Sequence, residues 1–374
     1  MKKYAVCLAV VFFFSCRSLV TTYEDVESAN SYTASPLQDE PQNVESLKVM
    51  TWNIRFGAGR IPFFGDSCGD RVLMTKGETE GYLNSIVAYI KSTEPDILLL
   101  QEVDISSKRS SYVNQLQYIL DRTHLNYGAY ASMWNIEIVA SDGLGKVDAG
   151  NAILSRWKIT DAERIKLPLR TDQDDLTQYF YLRRNILKAK ITLPEHDNFY
   201  AVNIHATAFA KDDTKQKHID EYVNVLNGIE ENDDIFISGG DLNALTPWTS
   251  KRDFCEDDKC SDDVCDGNYN TNTVYEGSYF EFIPNEINLL RPLYNFNPAI
   301  DSVSLQQDDL SLINTHSPWN TNANNTGFSD VDYWDRKLDY LFTNFEDGFI
   351  NGTTHQDAHE LSDHAPVSAT LAFP

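Results

Sequence analysis

The spacing of apolar and polar residues along the chain predicts a mixed α/β protein. Residues 96–104 and 234–243 contain continuous apolar runs that end in polar side chains, which is typical of strands buried on both faces. Apolar residues recur every three or four positions in 77–93, 111–124 and 211–230, as in amphipathic helices. Further strands are predicted at residues 47–54, 150–155, 185–193, 198–203, 336–342 and 367–373.

Polar side chains that could bind a metal or a phosphate stand at the ends of these strands. Asn53 ends the first predicted strand, Glu102 lies where the strand 96–104 ends, and His205 follows the strand 198–203. A carboxylate at the end of a buried strand is costly to desolvate without a cation, so Glu102 is a candidate metal ligand. An ordinary structural role remains the alternative for each of the three residues.

The run Ser-Gly-Gly-Asp-Leu-Asn at 238–243 is the most specific local signal in the chain. Its two glycines let the backbone approach a ligand closely. Asp241 and Asn243 lie two residues apart and can point into the same cleft from an irregular turn. The run therefore predicts a carboxylate and an amide that act together.

Two titratable groups stand side by side near the C-terminus, at Asp363 and His364. A second aspartate, Asp339, lies inside a predicted strand and needs a partner, for which His364 is the obvious candidate. Such a pair fixes the imidazole tautomer and favours its protonated form. The alternative is a surface turn in which Asp363 caps the following Ala-Pro bend.

The first 16 residues predict an export signal. Lys2 and Lys3 precede an apolar run, residues 4–14, that is too short to span a membrane as a helix. The pattern resembles a bacterial lipoprotein signal in which Cys16 is lipidated, and an ordinary secretory signal is the alternative. Residues 17–46 are polar and are predicted to form a disordered tether between the anchor and the folded domain.

The formal net charge of the chain is −25, from 31 Lys and Arg against 56 Asp and Glu. This excess of acid argues against a protein that holds nucleic acid mainly through an overall basic surface, although a local basic cleft remains possible. Four cysteines remain after the predicted signal, so one or two disulfides are expected in an exported chain. They are Cys68, Cys255, Cys260 and Cys265.

Seven short motifs, in this order, resemble those of the endonuclease/exonuclease/phosphatase superfamily. They are Thr-Trp-Asn-Ile-Arg, Leu-Leu-Gln-Glu-Val, Gly-Asn-Ala-Ile-Leu-Ser-Arg, Asn-Ile-His-Ala, Gly-Gly-Asp-Leu-Asn-Ala, Arg-Lys-Leu-Asp-Tyr-Leu-Phe and Ser-Asp-His-Ala-Pro-Val. The resemblance implies a catalytic domain at 47–374 with a four-layer α/β/β/α sandwich fold and two central mixed sheets. Residues 245–335 would be a long insertion over one rim of the site.

The resemblance also implies a metal site. Glu102 would hold Mg²⁺ or Mn²⁺, and Asn53 and Asp363 would complete or orient the site. Hard oxygen ligands of this kind suit such a cation. The metal would neutralise charge that develops on the phosphoryl group.

The remaining roles concern water and phosphate. Asp241 would orient or deprotonate the attacking water, and Asn243 would hold that water or the phosphate. His364, paired with Asp339, would stabilise the charged phosphoryl group, with His205 as a second donor. The resemblance further implies a phosphate contact from Arg184, with Arg183 as the competing candidate, and a place for Asn151 in the lining of the pocket.

The leading hypothesis is therefore an exported, metal-dependent phosphoester hydrolase, with nucleic acid as the preferred substrate. Four arginines could line a groove for it: Arg55, Arg60, Arg183 and Arg184. A phospholipid hydrolase would use exposed aromatic residues, with candidates at Phe63, Phe64 and 279–282. An inositol phosphate phosphatase would need a dense basic pocket. A non-catalytic surface binding protein is the alternative of a different class, and the presence of Glu102, Asp241 and His364 argues against it.

Overall fold

The computed structural model describes residues 18–65, 69–139, 141–247, 249–258, 280, 285–306, 309–318 and 334–373. Within these ranges, two mixed seven-stranded sheets form the centre of the molecule. The first sheet has the strand order β1 (Val26–Ser28), β7 (Ile159–Lys166), β8 (Asn185–Leu193), β9 (His196–His205), β10 (Ile235–Asp241), β12 (Asp339–Thr343), β11 (Asn297–Pro298). The second has the order β13 (Ile350–Thr354), β14 (Val367–Ala372), β3 (Ser46–Asn53), β4 (Ile97–Asp104), β6 (Gly145–Ser155), β5 (Tyr127–Val139), β2 (Asn30–Thr33).

The described part of the chain contains five α-helices. They are α1 (Lys76–Thr93), α2 (Gln115–Leu120), α3 (Asp175–Phe180), α4 (Thr214–Glu230) and the single turn α5 (Cys255–Asp258). Apolar residues of α1 and α2 pack on the second sheet, and those of α4 pack on the first. A third apolar cluster, which includes Leu99, Leu187 and Ile237, lies between the sheets. The predicted α/β/β/α sandwich is confirmed.

Local sequence explains where the helices begin and end. Thr75 and Glu78 form a capping box at the start of α1, and Glu94 in the left-handed conformation ends it before Pro95. The predicted helix 111–124 is shorter in the structure, where α2 starts only at Gln115. Ser111 and Tyr112 have φ of +54° and +59°, which a right-handed helix cannot include.

The prediction of a disordered tether at 17–46 is wrong for the part of this stretch that the structure describes. Strand β1 pairs with β7 in the first sheet, and β2 pairs with β5 in the second. Val20, which is buried, also forms a bridge to Ile136. These strands satisfy the hydrogen bonds of two sheet edges, a benefit that local composition does not reveal.

Residues 1–17 lie outside the described residues, so the export signal and the lipidation of Cys16 stay predictions. No helix in the described part of the chain is both long and apolar enough to cross a membrane. Cys255 is disulfide-bonded. Cys68, Cys260 and Cys265 are outside the described residues, and the pairing therefore also stays a prediction.

The described parts of the predicted insertion at 245–335 contribute to the core rather than only covering a rim. Phe254, Phe280 and Leu293 belong to the same apolar cluster as Phe236 of β10 and Phe342 of β12. Their burial ties the insertion to the outer face of the first sheet.

Candidate active site

Three neighbouring strands of the first sheet align the central polar residues. Asp241 at the end of β10 pairs with His205 on the parallel strand β9 and with Asp339 on the antiparallel strand β12. Gly240 makes this pairing possible, because its φ is +142° and a Cβ there would lie 1.8 Å from the carbonyl oxygen of Ile204. Gly240 therefore allows β10 to lie close to β9.

Asp241 is the centre of the site. One of its carboxylate oxygens lies 3.1 Å from Asn53 Nδ2, 3.3 Å from His205 Nε2 and 3.7 Å from His364 Nε2. The other oxygen accepts the backbone N–H of Asn243 at 2.9 Å. Burial alone would raise the pKa of Asp241, but the nearby imidazoles of His364 and His205 lower it below the usual range. Asp241 is therefore a carboxylate at neutral pH.

His364 is held as a cation. Its Nδ1 donates to Asp339 Oδ2 at 2.8 Å, and both groups are buried. Burial alone would lower the pKa of His364, but the carboxylates of Asp339 and Asp241 outweigh burial and raise this pKa to about 10. Thr315 fixes Asp339 by accepting its backbone N–H at 3.0 Å. The site thus presents an imidazolium Nε2 toward Asp241.

His205 has the opposite electrostatic setting. Burial lowers the pKa of His205, and the positive charge of Arg184 lowers it further. Its Nδ1 has no hydrogen-bond partner in the described part of the chain. A neutral imidazole with its hydrogen on Nε2 can donate to Asp241. The site therefore contains one charged and one neutral histidine on the same carboxylate.

Asn53 and Glu102 lie side by side on the second sheet. Asn53 Nδ2 is 3.4 Å from Glu102 Oε1, and Asn53 Oδ1 accepts the backbone N–H of Arg55 at 3.0 Å. The pairing of β4 with β6 is interrupted between Leu100 and Val103, and Glu102 has φ of +57°. Such a bulge changes the direction of a side chain, and here it separates a half-buried carboxylate from the regular strand.

This neighbourhood fits a divalent cation. The carboxylate of Glu102 is a hard oxygen donor, which Mg²⁺ and Mn²⁺ both accept, whereas Asn53 turns its Nδ2 and not its oxygen toward this carboxylate. The strained backbone at Glu102 is the kind of local distortion that functional sites retain. The Glu102 carboxylate therefore suits the metal that the sequence predicts, and the contact from Asn53 Nδ2 orients that carboxylate.

Asp363 is not brought to Glu102 by any described contact. Its Oδ2 lies 3.2 Å from Arg55 Nε. Burial alone would raise the pKa of Asp363, but Arg55 and His364 lower it. The ligand atoms of Asp363, His316 and His364 lie within 4.8 Å of one another, but the charged imidazole of His364 offers no lone pair to a metal. The metal role of Asp363 stays a prediction.

The other three predicted residues lie around the same centre. Asn243 has φ of +47° and donates through Nδ2 to the carbonyl of Ala206 at 3.1 Å. Asn151 donates to Asn185 Oδ1 at 3.2 Å. Arg184 is buried, with Nη1 3.6 Å from Met133 Sδ, and its charge influences the pKa of His205. Their contacts with substrate stay predictions.

The sequence analysis missed His316. Its ring centroid lies 5.1 Å from that of His364, and its Nδ1 is 3.6 Å from Asp335 Oδ1. Asp335 and Asp258 both bind the buried guanidinium of Arg336. His316 lies in the weakly periodic stretch 245–335, where no strand pattern or motif marks it.

A buried pair that joins the two sheets was also missed. Gln101 Nε2 donates to Asn203 Oδ1 at 2.7 Å, and Asn203 Nδ2 donates to the carbonyl of Leu100 at 2.8 Å. A signal was present, since each residue interrupts an apolar strand that otherwise excludes polar groups. The pair fixes the distance between the Glu102 strand and the His205 strand.

The groove of four arginines expected from the sequence does not form. Arg55, Arg60 and Arg184 are buried. Arg55 binds Asp363, and Arg60 donates to Ser317. Arg183 donates to the backbone carbonyls of Tyr179 and Tyr181. These side chains are used within the fold, so they do not form a continuous basic surface.

The aromatic candidates for membrane contact are also largely buried. Phe63 and Phe280 are 4% and 1% exposed and belong to core clusters, whereas Phe64 is 40% exposed. Residues 279, 281 and 282 are outside the described residues. Large aromatic side chains are as useful to a core as to a lipid surface, and composition alone does not distinguish the two.

Comparison with known proteins gives the following likenesses. A model of the Endonuclease/Exonuclease/phosphatase family matches residues 50–364. An endonuclease/exonuclease/phosphatase from Beutenbergia cavernae DSM 12333 is 15% identical with a TM-score of 0.52, over 88% of this chain and 72% of that chain. An AP endonuclease from Archaeoglobus fulgidus is 12% identical with a TM-score of 0.48, over 86% of this chain and 98% of that one. No curated protein matches this chain. At 15% identity, the likeness to the Beutenbergia cavernae protein concerns the fold alone.

Proposed function

The chain belongs to the endonuclease/exonuclease/phosphatase family of metal-dependent phosphoester hydrolases, and we propose that it is an exported phosphodiesterase. The observation that carries this proposal is the group around Asp241. An ionised carboxylate there faces the charged His364, the neutral His205 and the amide of Asn53. Phosphoryl transfer needs such a base beside fixed positive charge.

Asp241 is suited to orient the attacking water. Its low pKa keeps it ionised, so it can accept a hydrogen bond from water and take the proton as the new P–O bond forms. The bond from phosphorus to the leaving oxygen breaks on the opposite side. The backbone N–H of Asn243 holds the second oxygen of Asp241 and so fixes the direction of the first.

His364 supplies positive charge where the phosphoryl oxygens gain negative charge. Asp339 keeps its proton on the ring, so no reorganisation is needed during the reaction. His205 is placed as a second hydrogen-bond donor. A divalent cation held by Glu102, when bound, would neutralise phosphoryl charge and assist the leaving oxygen.

Two substrate classes follow from different observations. Nucleic acid is the class that the sequence weakly favours, but the arginines expected to form its basic groove are used within the fold. A phospholipid phosphodiester is the second candidate, favoured by Leu176 and Tyr179, which are exposed on α3 just before Arg183. Both substrates present the same phosphodiester bond to Asp241.

A substrate panel tests this proposal. The chain should begin at Ser18, because a start at Leu47 would remove β1 and β2. Supercoiled plasmid, phosphatidylcholine and bis(p-nitrophenyl) phosphate are each incubated with Mg²⁺ or with EDTA. We expect metal-dependent cleavage of the small diester and of one natural substrate, abolished in His205→Ala.

The matched control is His196→Ala, at the other end of the same strand. It should keep activity. Cleavage of plasmid alone would identify a nuclease, and cleavage of the lipid alone would identify a phospholipid phosphodiesterase. Inactivity on all three substrates would contradict the proposal and favour a non-catalytic binding protein.

A further inference from the structure

Large apolar side chains are exposed on neighbouring segments beside the site. Leu176 and Tyr179 on α3 are 69% and 40% exposed, and Leu19 and Ile138 are 43% and 51% exposed. Phe209, in the loop after His205, is 37% exposed. We call Leu19, Ile138, Leu176, Tyr179 and Phe209 the apolar rim.

Hydrogen bonds join the segments that carry the apolar rim. Ser18 Oγ lies 3.4 Å from Tyr179 OH, and the carbonyl of Leu19 accepts the backbone N–H of Glu137 at 2.9 Å. Arg170 donates to the carbonyl of Phe209 at 2.8 Å and accepts, through its own carbonyl, a hydrogen bond from Gln178 of α3. The five residues therefore belong to one connected region.

Helix α3 has no core role that would explain its apolar residues. None of its six side chains is buried, and Asp174 caps its N-terminus. A surface helix of one and a half turns gains little from exposing a leucine and a tyrosine to water. Exposed apolar groups gathered in one region commonly mark a contact surface.

The position of Ser18 indicates what covers this surface. The apolar run 4–14 and Cys16 precede Ser18 directly in the sequence. An extended chain spans roughly 3.5 Å per residue, so an anchor two residues before Ser18 would hold Ser18 within about 7 Å of the membrane attachment. A lipid attached at Cys16, or a leader that stays in the membrane, would hold the apolar rim at the bilayer.

We propose that the apolar rim docks the protein onto a lipid bilayer. The charge of the chain indicates which lipids it can contact, because a formal net charge of −25 opposes contact with an anionic membrane. The nearby Arg170 is paired with Asp172 at 2.9 Å. Contact is therefore made by apolar side chains that enter the interface, and it favours zwitterionic lipid.

Docking at the apolar rim would place the active site next to the membrane. Arg183 donates to the carbonyl of Tyr179 at 3.1 Å, and the following residue, Arg184, lies close enough to influence His205. Phe209 is four residues beyond His205 in the chain. This inference goes beyond the proposed function, because docking does not depend on which phosphodiester is cleaved.

Vesicle binding tests the proposal. The chain from Ser18 lacks the predicted leader and Cys16 but keeps both sheets with their helices, so binding must come from the folded domain. Its co-sedimentation with phosphatidylcholine vesicles is compared with that of Leu176→Ser/Tyr179→Ser. The matched control is Leu312→Ser/Ile350→Ser, which removes residues that are 59% and 46% exposed. Ile350 lies in β13, at the opposite end of the second sheet from β5 and β2.

We expect the α3 double variant to bind vesicles at least about tenfold more weakly than the parent chain, because two apolar side chains no longer enter the interface. The control should bind like the parent chain. Phosphatidylglycerol should weaken binding at low salt, and high salt should not abolish it. Near-ultraviolet circular dichroism and unchanged hydrolysis of a soluble diester verify that each variant is folded.

Three results would overturn the proposal. The parent chain could fail to bind phosphatidylcholine, both double variants could lose binding equally, or binding could require anionic lipid and disappear in high salt. None of these outcomes bears on hydrolysis of a soluble diester, so failure of docking is distinguishable from failure of the proposed function.

Discussion

The electrostatics of the candidate site depend on the proton that keeps His364 charged. His364 lies between Asp339 at 2.8 Å and Asp241 at 3.7 Å, and the two carboxylates together keep its ring charged. Asp339 lies on β12, is fully buried and contacts His364. The role of Asp339 is therefore to keep His364 protonated. A substitution at Asp339 should shift the pH dependence of activity, which a change in packing alone would not do.

The first prediction concerns Asp339→Asn. A group with a raised pKa stays protonated until the pH passes that pKa, so activity that needs charged His364 should fall only as the pH approaches about 10. Removing the carboxylate of Asp339 lowers the pKa of His364. We expect the alkaline fall in kcat to move to lower pH and kcat at neutral pH to decrease roughly 100-fold.

The matched control is Asp347→Asn, the same substitution at an exposed aspartate just beyond the other end of β12. Its pH profile should equal that of the parent chain. An unchanged alkaline limb in Asp339→Asn would mean that His364 is not the charged group on which activity depends.

At the residue scale, sequence reasoning finds groups that violate a pattern. Asp339 in a strand and Glu102 at a strand end stand out because burial of a lone carboxylate is costly. His316 does not stand out, because its neighbours follow no period and its partners Asp335 and His364 come from distant parts of the chain. Long-range pairing of this kind is visible only after folding.

The two N-terminal strands form because each pairs with the edge of a sheet, and not because their residues have a high intrinsic β-propensity. The strands β1 and β2 are short and polar, yet each closes the edge of a different sheet. Their sequence alone resembles a linker, and only the open edges of β7 and β5 give them a partner. Strongly periodic elements such as α1 and α4 were predictable because their own side chains form the apolar face.

The second prediction tests these edges. A chain that begins at Leu47 loses β1, β2 and buried Val20, together with their hydrogen bonds to β7 and β5. Each lost hydrogen bond costs roughly 1 kcal/mol, and each kcal/mol lowers the Tm of a domain this large by about 2–4 °C. We expect a Tm at least about 6 °C lower than that of the chain from Ser18. Equal Tm values would show that the segment is only a tether.

The third prediction concerns a buried ion pair between α4 and the insertion. Lys215 Nζ lies 3.2 Å from Glu286 Oε2, and neither side chain is exposed. Glu286 also accepts the backbone N–H of Leu245, a few residues after Asp241. Glu286→Gln removes the negative charge that faces the buried Lys215, and we expect the free energy of unfolding in urea to fall by about 3–5 kcal/mol.

Two comparisons identify the cause of that loss. Lys215→Met/Glu286→Gln removes both charges, keeps the acceptor for Leu245 and should recover much of the stability. Lys217→Met, which breaks an exposed pair with Asp213 on the same helix, should change stability little. If Glu286→Gln is as stable as the parent chain, the pair does not hold the insertion.

At the scale of the whole molecule, the site exists because two sheets converge. Asn53 and Glu102 come from the second sheet, and His205, Asp241 and Asp339 come from the first. The buried Gln101–Asn203 contact joins the two sets.

The layers and the order of the motifs were predictable from the sequence. The insertion's place in the core and the internal use of the arginines were not, because both depend on contacts between segments far apart in the chain.

A single measurement decides whether a metal-dependent reaction takes place at Asp241. It is kcat for bis(p-nitrophenyl) phosphate in Mg²⁺, for the chain from Ser18 and for Asp241→Asn. The control is Asp233→Asn, the same substitution at an exposed aspartate just before β10. We predict a loss of about 1000-fold in Asp241→Asn, parent activity in Asp233→Asn, and loss in EDTA that Mg²⁺ or Mn²⁺ reverses. Full activity in Asp241→Asn, or full activity in EDTA, would contradict the account.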